Sequence, residues 1–298
     1  MEYHKSVLLK ESIDALNIKP NGVYVDVTFG GGGHSKEILD RLGEDGRLFA
    51  FDQDADAQRN VINDPRFVLI AENFRFITRF LKFYGVKKVD GVLADLGVSS
   101  HQFDEKDRGF STRFDGDLDM RMNQSSMLSA KKVVNEYDEA KLADVLYWYG
   151  ELRNARAMAK TIVAAREDKE IVTSFELRQV LKRFLPKMKE FKILAQIYQA
   201  VRIEVNEELE VLKEFLNQIP GLLTEEGRLS VISYHSLEDR LVKRFIRTGL
   251  FEGEIEKDFY GNTNEPLKKV GKLIIPTAAE IEVNSRARSA KLRIATLK

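Results

Sequence analysis

Apolar residues in the first hundred positions fall into short β-branched runs separated by amphipathic stretches. The runs at 22–27, 47–52, 66–70 and 89–96 each read as a buried strand, being rich in Val, Ile, Leu and Phe. Between them the spacing changes from two to about 3.6. Ile38, Leu39 and Leu42 share one face of a helix over 36–42, and similar patterns predict helices at 54–62 and 76–84. A short amphipathic helix ending at Leu16 precedes Pro20-Asn21-Gly22, a turn into the first strand. Repeated strand and helix imply a parallel sheet with right-handed crossovers, whose ligands sit at the carboxyl ends of the strands.

The alternation stops after Leu96. Residues 97–123 are polar and glycine-punctuated, with no obvious element, yet Phe103, Phe110, Phe114 and the methionines argue that the segment is ordered against something. From 129 to 216 the pattern is helical: 130–135, 139–149, 154–167, 174–184 with a capped start at Ser174 and a stop at Pro186, then one long run over 192–216. The sheet resumes at 227–234, followed by a helix from His235 to about 248, a variable loop over 249–272, and two closing strands at 273–275 and 291–295. The last two read as an antiparallel pair at the sheet edge. The expected fold is α/β, with a mostly parallel seven-stranded sheet and an inserted all-α domain. The sheet domain is placed at 1–105 and 217–298, and the helical insertion at 106–216.

The stretch Asp26-Val27-Thr28-Phe29-Gly30-Gly31-Gly32-Gly33-His34-Ser35 joins the first strand to a helix. Strand, glycine turn and helix start together form a cofactor crevice, because backbone without side chains admits a ligand closely. Asp52 ends the second strand about 20 residues on, where a carboxylate can accept hydrogen bonds from two ribose hydroxyls. The dinucleotide fingerprint fits poorly, since its third small residue falls on Ser35 or Lys36. An acid-x-G-x-G-x-G pattern, as in Rossmann-like methyltransferases that use S-adenosylmethionine, fits with Thr28 replacing the first glycine. Phe74, after the third strand, could lie against an adenine ring or simply belong to the core. Two rivals stay open here: a nicotinamide-linked oxidoreductase, and an RNA-binding assembly factor that keeps a relict cofactor fold.

Composition narrows the chemistry. The chain of 298 residues has no cysteine, which excludes disulfides, thiolate metal sites and cysteine nucleophiles. Its four histidines, at 4, 34, 101 and 235, show no metal-ligand spacing, so no metal is expected. No long apolar run follows the N-terminus, which favours a cytoplasmic protein without a membrane span. Formal net charge is zero, so nucleic-acid binding would rest on local basic patches. His235, Ser236 and Glu238 are too close in sequence for a hydrolase triad and read as a helix start.

Several longer motifs carry a family resemblance. They are His4 to Leu9, Tyr24-Val25-Asp26 with Gly32-Gly33-His34-Ser35, Asp95-Leu96-Gly97-Val98-Ser99-Ser100 and Arg108-Gly109-Phe110-Ser111. Leu118-Asp119-Met120-Arg121-Met122, the segment 199–206, Ser233-Tyr234-His235-Ser236-Leu237-Glu238-Asp239-Arg240 and Arg286-Ala287-Arg288 continue the set. Together they resemble the bacterial 16S ribosomal RNA cytosine-N4 methyltransferases of the MraW type, nearly end to end, with His101 and Ser285 standing where proline is expected. The resemblance implies a Rossmann-like class I methyltransferase acting on one cytidine in the decoding centre of the small ribosomal subunit. It also implies S-adenosyl-L-methionine contacts from Gly32, Gly33, His34, Asp52, Phe74, Asp95 and Gln102. Asp95 is the candidate catalytic group, orienting the target amine or only the cofactor. Arg202, Arg240, Lys243, Arg244, Arg286, Arg288 and the basic residues of 178–189 are candidates for RNA phosphate contacts. The inserted domain is expected to govern substrate choice, and a homodimer is compatible with the sequence.

Overall fold

The computed structural model describes residues 6–255, 260 and 265–298. His4 and Lys5 of the leading motif, and 256–259 and 261–264 of the late loop, lie outside the described residues. In chain order the elements are α1 (Leu9–Leu16), β1 (Val23–Asp26), α2 (Gly33–Arg41), β2 (Arg47–Phe51), β3 (Phe67–Ile70), α3 (Ile77–Phe83) and β4 (Val89–Asp95). Then come α4 (Ser100–Asp104), α5 (Ala130–Glu136), α6 (Glu139–Trp148), α7 (Ala155–Asp168), α8 (Ser174–Val180) and α9 (Glu190–Asn206). The chain closes with α10 (Glu208–Leu222), β5 (Leu223–Ser233), α11 (Ser236–Thr248), β6 (Leu267–Ile274), α12 (Ala278–Val283) and β7 (Lys291–Leu297).

Two compact units result: residues up to Gly97 together with Leu209–Lys298, and Val98–Glu208. The first holds a seven-stranded sheet in the order β3-β2-β1-β4-β5-β7-β6. The first five strands in that order run parallel, and β7 lies antiparallel between β5 and β6. This is the expected mostly parallel Rossmann-like sheet. Alternation along β2 explains its two packed faces. Phe49 and Phe51 join a core with Ile77, Leu81, Phe215, Ile219 and Phe245, whereas Leu48 and Ala50 join Ile13, Leu16, Tyr24, Ile38 and Leu39. Strands covered on both sides are apolar throughout, as these runs are.

The second unit has a core of its own. Val133 and Val134 of α5, Leu142 and Leu146 of α6, Met158 and Ile162 of α7, and Leu194, Ile197 and Val201 of α9 are all buried there. Phe110, Leu118 and Met120, from the expected loop, are buried in that core too, while Phe114 remains 40% exposed. The loop is pinned by Arg121, which grips both carboxylate oxygens of Asp119 at 2.8 and 2.7 Å, and by Arg108, which donates to the carbonyl of Arg121 at 2.8 Å.

Several predicted elements change. Residues 54–62 form only a 3₁₀ turn at Ala55–Asn60, opened by the Asp54 side chain accepting from the Asp56 N–H at 3.1 Å. The cap of α8 is Thr173 rather than Ser174, because Thr173 and Glu176 form a reciprocal capping box. The run expected over 192–216 is two helices, broken where Glu207 adopts a left-handed φ of 50°. Within the expected loop at 97–123 lies α4, and β6 occupies the end of the stretch read as variable.

Candidate active site

Because β1 to β5 are parallel, their carboxyl ends share one edge of the sheet, and each sends a polar or aromatic residue there. Asp26 ends β1, Asp52 follows β2, Phe74 follows β3, Asp95 ends β4 and Tyr234 follows β5.

The glycine turn is braced from below by Asp26, which is fully buried. Its carboxylate accepts from the Ser35 hydroxyl at 2.7 Å and from the Thr28 N–H at 3.1 Å, tying both ends of the turn to β1. Burial pushes this carboxyl above its ordinary range, opposed by the nearby His34 and by those hydrogen bonds. Gly32 caps α2 with φ at 76°, a backbone state that disfavours a side chain. At Gly33 a methyl group would come within 2.2 Å of Ser6 Oγ. Gly33 thus packs against the chain's own N-terminal segment, at a side-chain tip that a rotation of Ser6 could move.

His34 and Asp95 meet beside this turn. His34 Nε2 lies 3.2 Å from the Val7 carbonyl oxygen, and Nδ1 lies 3.7 Å from Asp95 Oδ2. A carbonyl only accepts, so Nε2 carries the hydrogen and Nδ1 faces the carboxylate. Asp95 Oδ1 accepts from the Tyr234 hydroxyl at 2.8 Å, and the Asp95 N–H donates to Thr28 Oγ1 at 2.7 Å. Burial pushes the Asp95 carboxyl up to about 6, with His34 and the Tyr234 hydrogen bond acting in the opposite direction. Burial, and then the adjacent carboxylate, holds the Tyr234 phenol well above its ordinary range. Tyr234 is itself set by Glu238, whose Oε2 accepts its N–H at 2.8 Å, and its ring borders Gly97, where a methyl group would lie 3.3 Å from Cδ2. In the sequence Tyr234 stands only as one letter of a motif. Its place directly after a parallel strand was the available signal.

Asp52 accepts from the Gly30 N–H at Oδ2 and from the Asp54 N–H at Oδ1, both at 2.8 Å. Each oxygen keeps a second lone pair, which suits two vicinal hydroxyls. Burial, partly offset by these two N–H groups, pushes its carboxyl up to about 6. Phe74 is half-buried with its ring edge-on to Phe215, centroids 5.3 Å apart, so the core reading of this residue has a physical partner. Gln102 belongs to the other unit, where it is buried and closes a capping box on α4. Its N–H donates to Ser99 Oγ at 3.2 Å, and its Oε1 accepts from the Ser99 N–H at 3.1 Å.

Among the basic candidates, Arg202 is held at 2.8 and 2.9 Å by both carboxylate oxygens of Glu208, and Arg178 donates twice to one oxygen of Glu190, Oε1, at 2.9 and 2.6 Å. With only 15% exposure the Arg202 side chain is an internal ion pair and a poor phosphate ligand. His235 caps α11 in a capping box with Glu238, the reading that displaced a hydrolase triad. A concavity of about 320 Å³ at the far end of α11 is lined by Arg244, Arg247, Thr248 and Glu254. It lies at the opposite end of α11 from Tyr234.

A parallel sheet with a glycine turn after β1 and an acid after β2 defines a Rossmann-like enzyme for a nucleoside cofactor. The family model described as the MraW methylase family matches residues 1–298, and the chain belongs to that family. It is 66% identical over 295 residues to the ribosomal RNA small subunit methyltransferase H of Christiangramia forsetii, covering 99% of this chain and 98% of that one. The protein of the same name from Flavobacterium johnsoniae is 65% identical over 295 residues, with the same coverage. That from Bacteroides thetaiotaomicron is 54% identical over 299 residues, covering 100% and 98%. The chain is thus a methyltransferase, and the nicotinamide alternative falls away.

Proposed function

We propose that this protein transfers a methyl group from S-adenosylmethionine to the exocyclic N4 amine of one cytidine in the 16S ribosomal RNA of the small subunit. End-to-end identity of 54–66% with small-subunit methyltransferases supports the substrate class. The observation that carries the reading of the site is Asp95, a carboxylate fixed by the Tyr234 hydroxyl and bordered by His34 at the carboxyl end of β4.

The donor set fits the cofactor: the doubly anchored Asp52 suits the ribose diol, and the Gly30–Gly33 turn offers backbone where side chains would intrude. When bound, the cofactor supplies an electrophilic methyl on a sulfonium, whose bonding pair returns to sulfur on transfer. Cytosine N4 is a weak nucleophile because its lone pair is delocalised into the ring, so the protein must align the amine and accept its growing charge. Asp52 holds the ribose, His34 and Gly32–Gly33 frame the methionine end, and Asp95 accepts from the amine. The target base has to leave its stack to reach this edge. The helical unit contributes substrate choice, and the enzyme acts in the cytoplasm. Among the described residues no helix is long and apolar enough to cross a membrane.

The test is methyl transfer from labelled S-adenosylmethionine to small subunits from a strain lacking the enzyme, with the product nucleoside identified by mass spectrometry. N4-methylcytidine is expected, lost in Asp52→Ala along with cofactor binding. Label on another base or atom would overturn the assignment.

A further inference from the structure

The Tyr234 hydroxyl, both oxygens of Asp95, both nitrogens of His34 and the Val7 carbonyl form one chain of polar contacts across three strand ends. Each link has a direction. The Tyr234 hydroxyl donates to Oδ1, which fixes the carboxylate plane and leaves Oδ2 as the freer oxygen. On the other side the Val7 carbonyl accepts from His34 Nε2, which turns Nδ1 toward Oδ2. Nδ1 and Oδ2 stand 3.7 Å apart, so the imidazole borders the freer carboxylate oxygen without capturing it.

We propose that Tyr234 is a positioning residue for methyl transfer, which aims Asp95 Oδ2, backed by His34 Nδ1, at the proton that the target amine must shed. This rests on the function proposed above. As the N4 lone pair forms the new N–C bond, the nitrogen becomes positive. The proton goes from N4 to Asp95 Oδ2, the N–H bonding pair stays on nitrogen, and the neutral secondary amine results.

Asp95 is suited to this work because burial lifts its carboxyl to about 6, toward neutrality, where a general base is most effective at neutral pH. The groups that face it are His34 on α2, Asp26 on β1, Tyr234 after β5 and Glu238 on α11, with Glu280 of α12 acting on Tyr234. Below about 6 the carboxyl is protonated and cannot accept, so turnover falls on the acid side. The Tyr234 hydrogen bond lowers that value, and its removal raises it.

The experiment is kcat against pH at saturating cofactor for wild type, Tyr234→Phe and Asp95→Asn, on small subunits. For Tyr234→Phe the expected result is a kcat lowered about tenfold or more, with the acid limb displaced to higher pH and cofactor affinity little changed. A merely structural phenol would change stability or KM and leave the limb in place, and that outcome overturns the proposal. Should Tyr234→Phe fail to fold, Asp95→Asn decides. Its amide oxygen still accepts from Tyr234, yet it cannot take a proton, so kcat should fall a hundredfold or so and the acid limb should vanish. Near-normal turnover in Asp95→Asn would overturn the proposal by itself. If wild type makes no N4-methylcytidine, the proposed function fails instead, and the two failures are distinguishable.

Discussion

Asp95 is held in its ionised state at neutral pH against the pull of burial, and that has a thermodynamic consequence. Its folded value of about 6 lies above the ordinary 3.8, so the native state binds the extra proton between those limits. The stability this adds is fully present below about 3.8 and is lost as pH rises through 6. Asparagine at 95 would accept from Tyr234 through its oxygen, with no charge to bury. Asp95→Asn is therefore expected to be more stable than wild type at pH 8 by about 1–2 kcal/mol, with the gain shrinking toward pH 5, as urea unfolding at several pH values would measure. An unchanged or lower stability at pH 8 would show that the carboxylate is well solvated. At this scale spacing alone located an acid after the second strand, Asp52, while Asp95 at the end of the fourth came forward through the family resemblance. The sequence was silent on Ser6 and Val7, whose contacts with Gly33 and His34 join segments that no local pattern connects.

Elements were legible in proportion to their apolar repeat. The β-α alternation up to β4 announces itself because each strand is buried on both faces, and β7 beside β6 was visible as a closing antiparallel pair. The break at Glu207 was not, because a single left-handed residue between two amphipathic helices leaves the apolar count almost unaltered. Likewise α4 is a five-residue helix, too short for a periodic signal. Inside the sheet one position is set by its neighbour's bulk. Gly91 of β4 pairs with Tyr24 of β1, and a methyl group there would lie 2.8 Å from the buried Tyr24 ring. Gly91→Ala should cost about 1–3 kcal/mol, as overpacking does, and thermal denaturation would detect the lowered midpoint. A neutral result would mean that the Tyr24 ring has room to move.

At the scale of the whole molecule, two separate cores imply two separable stabilities. Phe215 is fully buried among the sheet residues, and Ile197 is fully buried among the helices. Truncating either to alanine should cost about 2–5 kcal/mol. In calorimetry each is expected to lower a different part of the unfolding profile, and a common shift of one transition would contradict this. Zero net charge also matters here, since long-range attraction to a ribosomal particle would have to come from uneven charge rather than from the total. The strand order has a last implication, for how the enzyme is born. The last described strand, β7, is inserted between β5 and β6, and the first described residues lean on late ones, with the Leu8 N–H held by Glu280 at 2.7 Å. Until β7 has been made, a nascent chain keeps the β5 edge open and Leu8 unanchored, exposed to mispairing with other chains. Synthesis halted before β7 thus leaves no weakened enzyme, only a sheet that cannot close.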